Sequence, residues 1–330
     1  MLSESAVEQL PCYASVLWPN DPGQVAESAR RFLAQGYRAV KYGWAPMGPD
    51  PALDAALVKA ARDALGPEVE LMVDAGRVWD VETALSRAEL FAPYDIAWLE
   101  EPLKPFDFAG YAQLTAQSPV PIAAGEALAL LEDYVRLIEP GGIHIAQPDL
   151  GRIGGITQGQ RLAAYAQAKS VRPVPHAFGT GVLLAASAQW ASALAAPLTE
   201  YTRAPSPLAQ NLAHQGIQFK EGLLHLSDAP GLGVELDMKE VERLTRIEPM
   251  TKPNFMIVCK YDNGTTLYTR PDPENPHFMV RPDWSRTLMP MSFVAPLKTE
   301  YWDDDATTDF NAMMARVEQE GAVLQKSDEG

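Results

Sequence analysis

The chain alternates between two apolar patterns. Short runs rich in Val, Ile, Tyr and Trp are each followed by a longer stretch whose apolar positions recur at helical spacing. The helical stretches carry their own punctuation. In "NDPGQVAESARRFLAQG", Asp21 can accept the first free amides, Pro22 suits the first turn, and Gly36 can take the left-handed stop before "RAVKYGW" begins a strand. The pattern predicts strands near 12–17, 38–43, 69–74, 95–100, 120–124, 142–147, 171–175 and 198–202, with helices between consecutive members. Eight such βα units over roughly 200 residues predict an α/β fold, a closed parallel (β/α)8 TIM-type barrel. The first strand-to-helix turn has no G-x-G-x-x-G fingerprint, which argues against an open doubly wound dinucleotide-binding sheet.

The strand ends carry the chemistry. Lys41, Asp74, Glu100, Glu126, Asp149, His176 and Glu200 each close one predicted strand, and from Asp74 onward they follow one another at 26, 26, 23, 27 and 24 residues. In a barrel this spacing places them around one rim, at the end where barrel enzymes build their sites. Asp74, Glu100 and Glu126 on consecutive strands would repel one another unless a cation sat among them, and three hard oxygen donors suit Mg2+. Glu101, next to Glu100 in "IAWLEEPL", points the other way and is expected to pair with a basic group or cap the next segment. Lys41 flanks the acids on one side, where a nearby cation would lower its pKa toward that of a general base. Asp149 and His176 flank them on the other, as a carboxylate–imidazole dyad able to move a proton. The other histidines form no spaced cluster.

Composition narrows the partners. A net charge of −16 leaves no basic face for nucleic acid or an anionic membrane. The most apolar long stretch, Val182 to Pro197, contains Gln189 and Trp190 and is too short to span a bilayer. Two distant cysteines, Cys12 and Cys259, and an N-terminus without a basic-then-apolar leader fit a reducing, cytoplasmic setting.

Taken together, Lys41, "VDAG" with Asp74, "WLEEP" with Glu100, "AGE" with Glu126, "QPDLGRIGG" with Asp149 and "PHAFGTG" with His176 resemble the mandelate racemase subgroup of the enolase superfamily, over about residues 12–240. The resemblance implies a small-molecule carboxylate substrate held by Mg2+ on Asp74, Glu100 and Glu126. A base takes the proton α to the carboxylate and the metal stabilises the enediolate, a pattern known for this superfamily. It also implies that Lys41 and the Asp149–His176 dyad face opposite sides of the α-carbon, and that Glu200 bonds the substrate carboxylate. The expected activity is dehydration of a sugar acid, an aldonate or aldarate, to a 2-keto-3-deoxy acid. A racemase or epimerase of a 2-hydroxy acid, and a catalytically impaired barrel used for binding or assembly, are the alternatives.

The sequence departs from the family in three ways. Ala39 stands where a second lysine is frequent, the usual N-terminal capping domain is not apparent before the first strand, and a tail follows the barrel. The barrel is expected over 1–245 and the extension over 246–330, where "KYDNGTTLY" predicts a hairpin turning at Asn263-Gly264 and "DDDATTDFNAMMARVEQEG" a capped helix. A small α+β lid, an assembly element and a poorly packed extension are all open for this tail, and a homo-oligomer is expected.

Overall fold

A computed structural model of the chain describes residues 6–19, 21–44, 46–48, 50–204, 206–214, 216–246, 255–261, 264–270 and 297–326. Two compact units divide it, Met1–Leu244 and Thr245–Gly330.

In the first unit, strands β1 (Gln9–Leu17), β2 (Ala39–Gly43), β3 (Glu70–Asp74), β4 (Ile96–Glu100), β5 (Ile122–Ala124), β6 (Ile145–Ala146) and β7 (Arg172–Pro173) pair in parallel in sequence order, and β8 (Thr199–Thr202) pairs with β1. Between β7 and β8 the Ala177 amide donates to the Glu200 carboxylate at 2.6 Å. Helices α1 (Pro22–Ala34), α2 (Pro51–Leu65), α3 (Val81–Phe91), α4 (Phe108–Thr115), α5 (Leu131–Ile138), α6 (Leu150–Ile153), α7 (Ile156–Ala168) and α8 (Gly181–Ser192) fill the connections, α6 and α7 sharing one of them. Asp21 caps α1 by accepting from the Gln24 amide, and Gly36 takes φ +90° just past its end. The apolar 182–197 stretch forms α8, packed through Leu184, Ala185, Ala188, Trp190 and Ala191. No helix among the described residues is long and apolar enough to cross a membrane.

Among the described residues no helix longer than four residues directly follows β8: the run "RAPSPLAQNLAHQG" contains α9 (Pro207–Gln210) and β9 (Ala213–His214). The hairpin β10 (Ile217–Lys220) and β11 (Leu223–Leu226) then pairs antiparallel with the start of β1, and β12 (Glu235–Leu236) with β9. Helix α10 (Met238–Thr245) ends the unit.

Parallel strands buried on both faces read as continuous apolar runs, and the pleat sorts them. Outward side chains pack under the helices in the main core. Inward ones form a separate plug with one residue from each strand or its flank: Tyr13, Ala39, Met72, Trp98, Ala123, Ile145, Val174 and Leu198. Ala39 therefore occupies an apolar layer, which accounts for the missing second lysine.

In the second unit, β13 (Phe255–Tyr261) and β14 (Thr265–Thr269) form the expected hairpin. Asp262 and Asn263 of its turn lie outside the described residues, and Gly264 takes φ +77°. With β15 (Leu297–Asp303) and β16 (Ala322–Lys326) they make an antiparallel sheet ordered β15-β13-β14-β16. Helix α11 (Thr308–Glu320), capped by Thr307, packs Phe310, Met314 and Val317 against Met256 and Val323. The tail is thus an α+β unit with its own core.

Truncating the plug residue Met72 to Ala is expected to lower unfolding stability by about 2–5 kcal/mol, read as a drop in the urea midpoint followed by tryptophan fluorescence. Burial raises the Cys12 thiol to about 12. At pH 8 its thiolate fraction is then roughly one in ten thousand, so Cys12 should resist a thiol-specific chromogenic reagent until the barrel is unfolded.

Candidate active site

The plug explains the site, because a strand that points one residue inward points the residue two further on inward as well. Two positions above Tyr13, Ala39, Met72, Trp98, Ile145, Val174 and Leu198 stand Ser15, Lys41, Asp74, Glu100, Gln147, His176 and Glu200. All seven are buried polar residues. Strand β5 breaks the rule at Gly125, whose φ of +131° and contact with the Tyr134 ring admit no side chain, and Glu126 supplies the inward group instead. The Tyr134 hydroxyl donates to the Gly125 carbonyl at 2.6 Å and fixes that turn. Next to Asp74, a Cβ on Gly43 would lie 2.7 Å from the Asp74 Cβ, so only glycine lets that carboxylate sit there.

All seven residues expected at the strand ends converge. One oxygen each of Asp74, Glu100 and Glu126 lies within 4.8 Å of the others, and the three residues are 4%, 1% and 6% exposed. Burial and the neighbouring Glu100 charge raise the Asp74 carboxyl well above its ordinary value, with Lys41 opposing. Three buried hard oxygens short of compensating charge fit a divalent cation, which would supply positive charge and Lewis acidity for a substrate carboxylate.

Lys41 pairs with Glu100 Oε1 and, at 3.0 Å, with Glu200. Burial acts to lower its pKa, but Glu100 and Glu200 outweigh burial and hold the ammonium well above its usual range. Lys41 is the cation paired with Glu100.

Asp149 lies beyond β6 rather than at its end, capping α6 through the Gly151 and Arg152 amides. Its Oδ2 is 2.8 Å from His176 Nδ1, while His176 Nε2 stands 3.2 Å from Glu126 and 3.9 Å from Glu200. Burial works to lower the imidazole pKa; Glu200, Asp149 and Glu126 outweigh it and lift it to about 9. Glu200 is under opposite pressure, since burial favours its neutral form but Lys41 and His176 hold it down to about 2.

Glu101 pairs with a base as expected, with Arg77 Nε at 3.1 Å. Burial and Glu126 still push its carboxyl up to about 8, against the pull of Arg77. Trp44, Arg77 and Glu101, each just past one of three adjacent strands, take φ values of +67°, +69° and +39°, and the Arg77 guanidinium lies 5.1 Å from the Trp44 ring. Left-handed non-glycine residues cost about 1–3 kcal/mol each, and such strain gathers at functional sites. The cavity above the acids, about 220 Å³, has Lys41, Asp74, Glu126, His176 and Glu200 on its walls, with Trp44, Arg77, Arg152 and Phe178 also lining it.

Sequence reasoning missed Arg77, Arg152, Gln147 and Trp98. Arg152 Nη1 donates to the Glu126 carbonyl at 2.7 Å, and its side chain stays half exposed. Gln147 and Trp98 carried a signal, being inward positions of β4 and of the β6 end. The remaining His144 is structural, accepting the Ile122 amide through Nδ1 at 3.1 Å, and His277 lies outside the described residues.

The family model described as enolase C-terminal domain-like matches residues 24–241. The chain belongs to that family. Among proteins similar to this enolase-like chain, the D-galactarolactone cycloisomerase of Agrobacterium fabrum is 31% identical over 233 residues, covering 68% of the chain and 61% of the relative. The L-talarate/galactarate dehydratase of Salmonella typhimurium is 33% identical over 199 residues, covering 60% and 48%. The crystal structure of the 3,6-anhydro-D-galactonate cycloisomerase from Zobellia galactanivorans superposes with a TM-score of 0.69 at 30% identity, covering 73% of this chain and 68% of that one. The chain thus spans about half to three-fifths of the length of these two curated relatives.

The raised Asp74 pKa carries a sign. Its stabilising contribution is full below the unfolded carboxylate value and is lost as pH rises toward the folded one. In chelator-treated protein at pH 7, Asp74→Asn should therefore raise the melting temperature. It should also abolish the stabilisation of about 2.7 kcal/mol that Mn2+ at a hundred times its Kd gives the wild type, both read by differential scanning calorimetry.

Proposed function

We propose that this chain removes the proton α to the carboxylate of a sugar acid and then expels the group on the β-carbon, in dehydration of an aldonate or aldarate to a 2-keto-3-deoxy acid. The observation that carries the reading is the Asp149–His176 dyad, at 2.8 Å, which shares one cavity with Lys41 beside the cluster of three acids. Mg2+ is the ion we assign to Asp74, Glu100 and Glu126; when bound it would supply the positive charge that an α-carboxylate needs as its α-proton becomes acidic.

The chain's own groups divide the remaining work. Asp149 accepts from Nδ1 and leaves Nε2 to the cavity, where His176, once a dication on the acids offsets the carboxylates that hold it charged, would take a proton and return it to a departing β-oxygen. Lys41, between Glu100 and Glu200, is a second proton-carrying group lining the cavity. Glu200, anchored by the Ala177 amide, is placed to accept from or share a proton with a substrate oxygen. The same chemistry covers loss of water and opening of a ring whose oxygen is the β-leaving group, and the names of the relatives include dehydratases and cycloisomerases alike. Racemisation is the second reading, because Lys41 and His176 both line the cavity and each could serve one face.

The test is a screen of the purified chain with Mg2+ against aldonic and aldaric acids and their lactones, detecting 2-keto acid with semicarbazide. Product is expected from at least one acid, with kcat reduced about 10²- to 10⁴-fold in His176→Asn and lost in Glu126→Gln. Deuterium entering the α-position of recovered substrate without keto acid would move the assignment to a racemase. Neither product nor exchange would leave a barrel without this chemistry.

A further inference from the structure

The three acids are not held alike. Among the described residues Asp74 Oδ1 accepts the Gly76 amide, at 2.9 Å, and Glu126 is approached by side chains from the rim. Glu100 is gripped from beneath: its Oε2 accepts both the Trp98 indole N–H at 2.9 Å and the Gln147 side-chain amide at 2.6 Å, while its Oε1 takes the Lys41 ammonium. Trp98 and Gln147 are each 1% exposed, so neither donor has water as an alternative partner. Releasing Oε2 would strand two buried donors, each at about 1–3 kcal/mol.

The consequence is geometric. A carboxylate with one oxygen tied to two fixed donors offers a cation the other oxygen, and that is the one Lys41 now occupies. Ions differ in what they ask of it. Ca2+ takes six to eight oxygens and readily accepts both oxygens of one carboxylate, whereas Mg2+ and ions of similar size take six at short, near-octahedral distances and use one.

We infer that Trp98 and Gln147 are positioning residues that restrict Glu100 to single-oxygen ligation and thereby select a small octahedral dication over Ca2+ at the Asp74–Glu100–Glu126 cluster. The inference rests on the metal assignment made above. It adds a function for two residues that touch neither the ion position nor the cavity.

The experiment measures Mn2+ and Ca2+ affinities of the metal-free full chain by titration calorimetry, for the wild type, Trp98→Phe and Gln147→Leu. Both substitutions keep an apolar shape in place and remove one donor to Oε2. Melting of the metal-free proteins, recorded alongside, reports on packing separately from ion choice. Mn2+ Kd should rise about 10- to 100-fold in each variant, the usual size of an effect on a ligand's supporting partner. Ca2+ Kd should rise less or fall, so that the Ca2+-to-Mn2+ preference shifts at least several-fold. Two variants with the wild-type preference, on a wild type that binds Mn2+, would overturn this inference alone. A wild type that binds neither ion would overturn it together with the metal assignment.

Discussion

Like-charge repulsion in a dry place is the constraint on which the rest of this structure depends. Asp74, Glu100 and Glu126 share a space under 5 Å across and are all but sealed from water. An arrangement of that kind costs far more than any one packing contact returns unless positive charge is brought to it. The chain brings what it has. Lys41 lies on Glu100, His176 and two arginines surround Glu126, and Arg77 neutralises the adjacent Glu101. Several cations are drawn in, and burial and Glu100 still displace the Asp74 carboxyl upward, so the three acids could take a further positive charge.

The barrel makes this concentration of charge affordable by stacking it on an apolar plug. Because parallel strands share one pleat, a single layer of Tyr13, Ala39, Met72, Trp98, Ala123, Ile145, Val174 and Leu198 closes the interior, and the next inward layer is obliged to be the polar ring. Plug and site are thus one object. Trp98 shows the coupling directly, filling the plug with its ring while its indole N–H holds Glu100. Strain collects just outside the ring, at Trp44, Arg77 and Glu101, where the chain must leave three neighbouring strands and still turn side chains back over the cavity.

Much of this was legible in the sequence because both signals are periodic. The βα spacing recurs, and the ionisable residues sit at its phase, so Lys41, Asp74, Glu100, Glu126, His176 and Glu200 could be placed on one rim before any coordinates were known. Asp149 was placed correctly beside His176 although its strand ends earlier, since the residues after β6 continue alongside β7 through a single bridge. What the sequence hid was aperiodic. Arg77 and Arg152 lie in connections, where side-chain direction depends on loop conformation, and Arg77 is turned by a left-handed backbone that nothing in its neighbours announces. Gln147 and Trp98 stood at inward positions but are not ionisable, so the strand-end pattern passed over them. After β8 prolines interrupt the helical signal, and among the described residues only a four-residue helix precedes the hairpin.

The central claim is that the three strand-end acids can hold a dication, with Lys41 paired to Glu100 beside them. Diffraction from crystals grown with Mn2+, recorded at a wavelength where manganese scatters anomalously, tests it most directly. The account predicts one strong anomalous peak bounded by the carboxylates of Asp74, Glu100 and Glu126, with the Lys41 ammonium withdrawn from Glu100. A map without that peak, in which Lys41 remains on Glu100 at saturating Mn2+, would contradict it and leave the cluster as a buried ion-pair network.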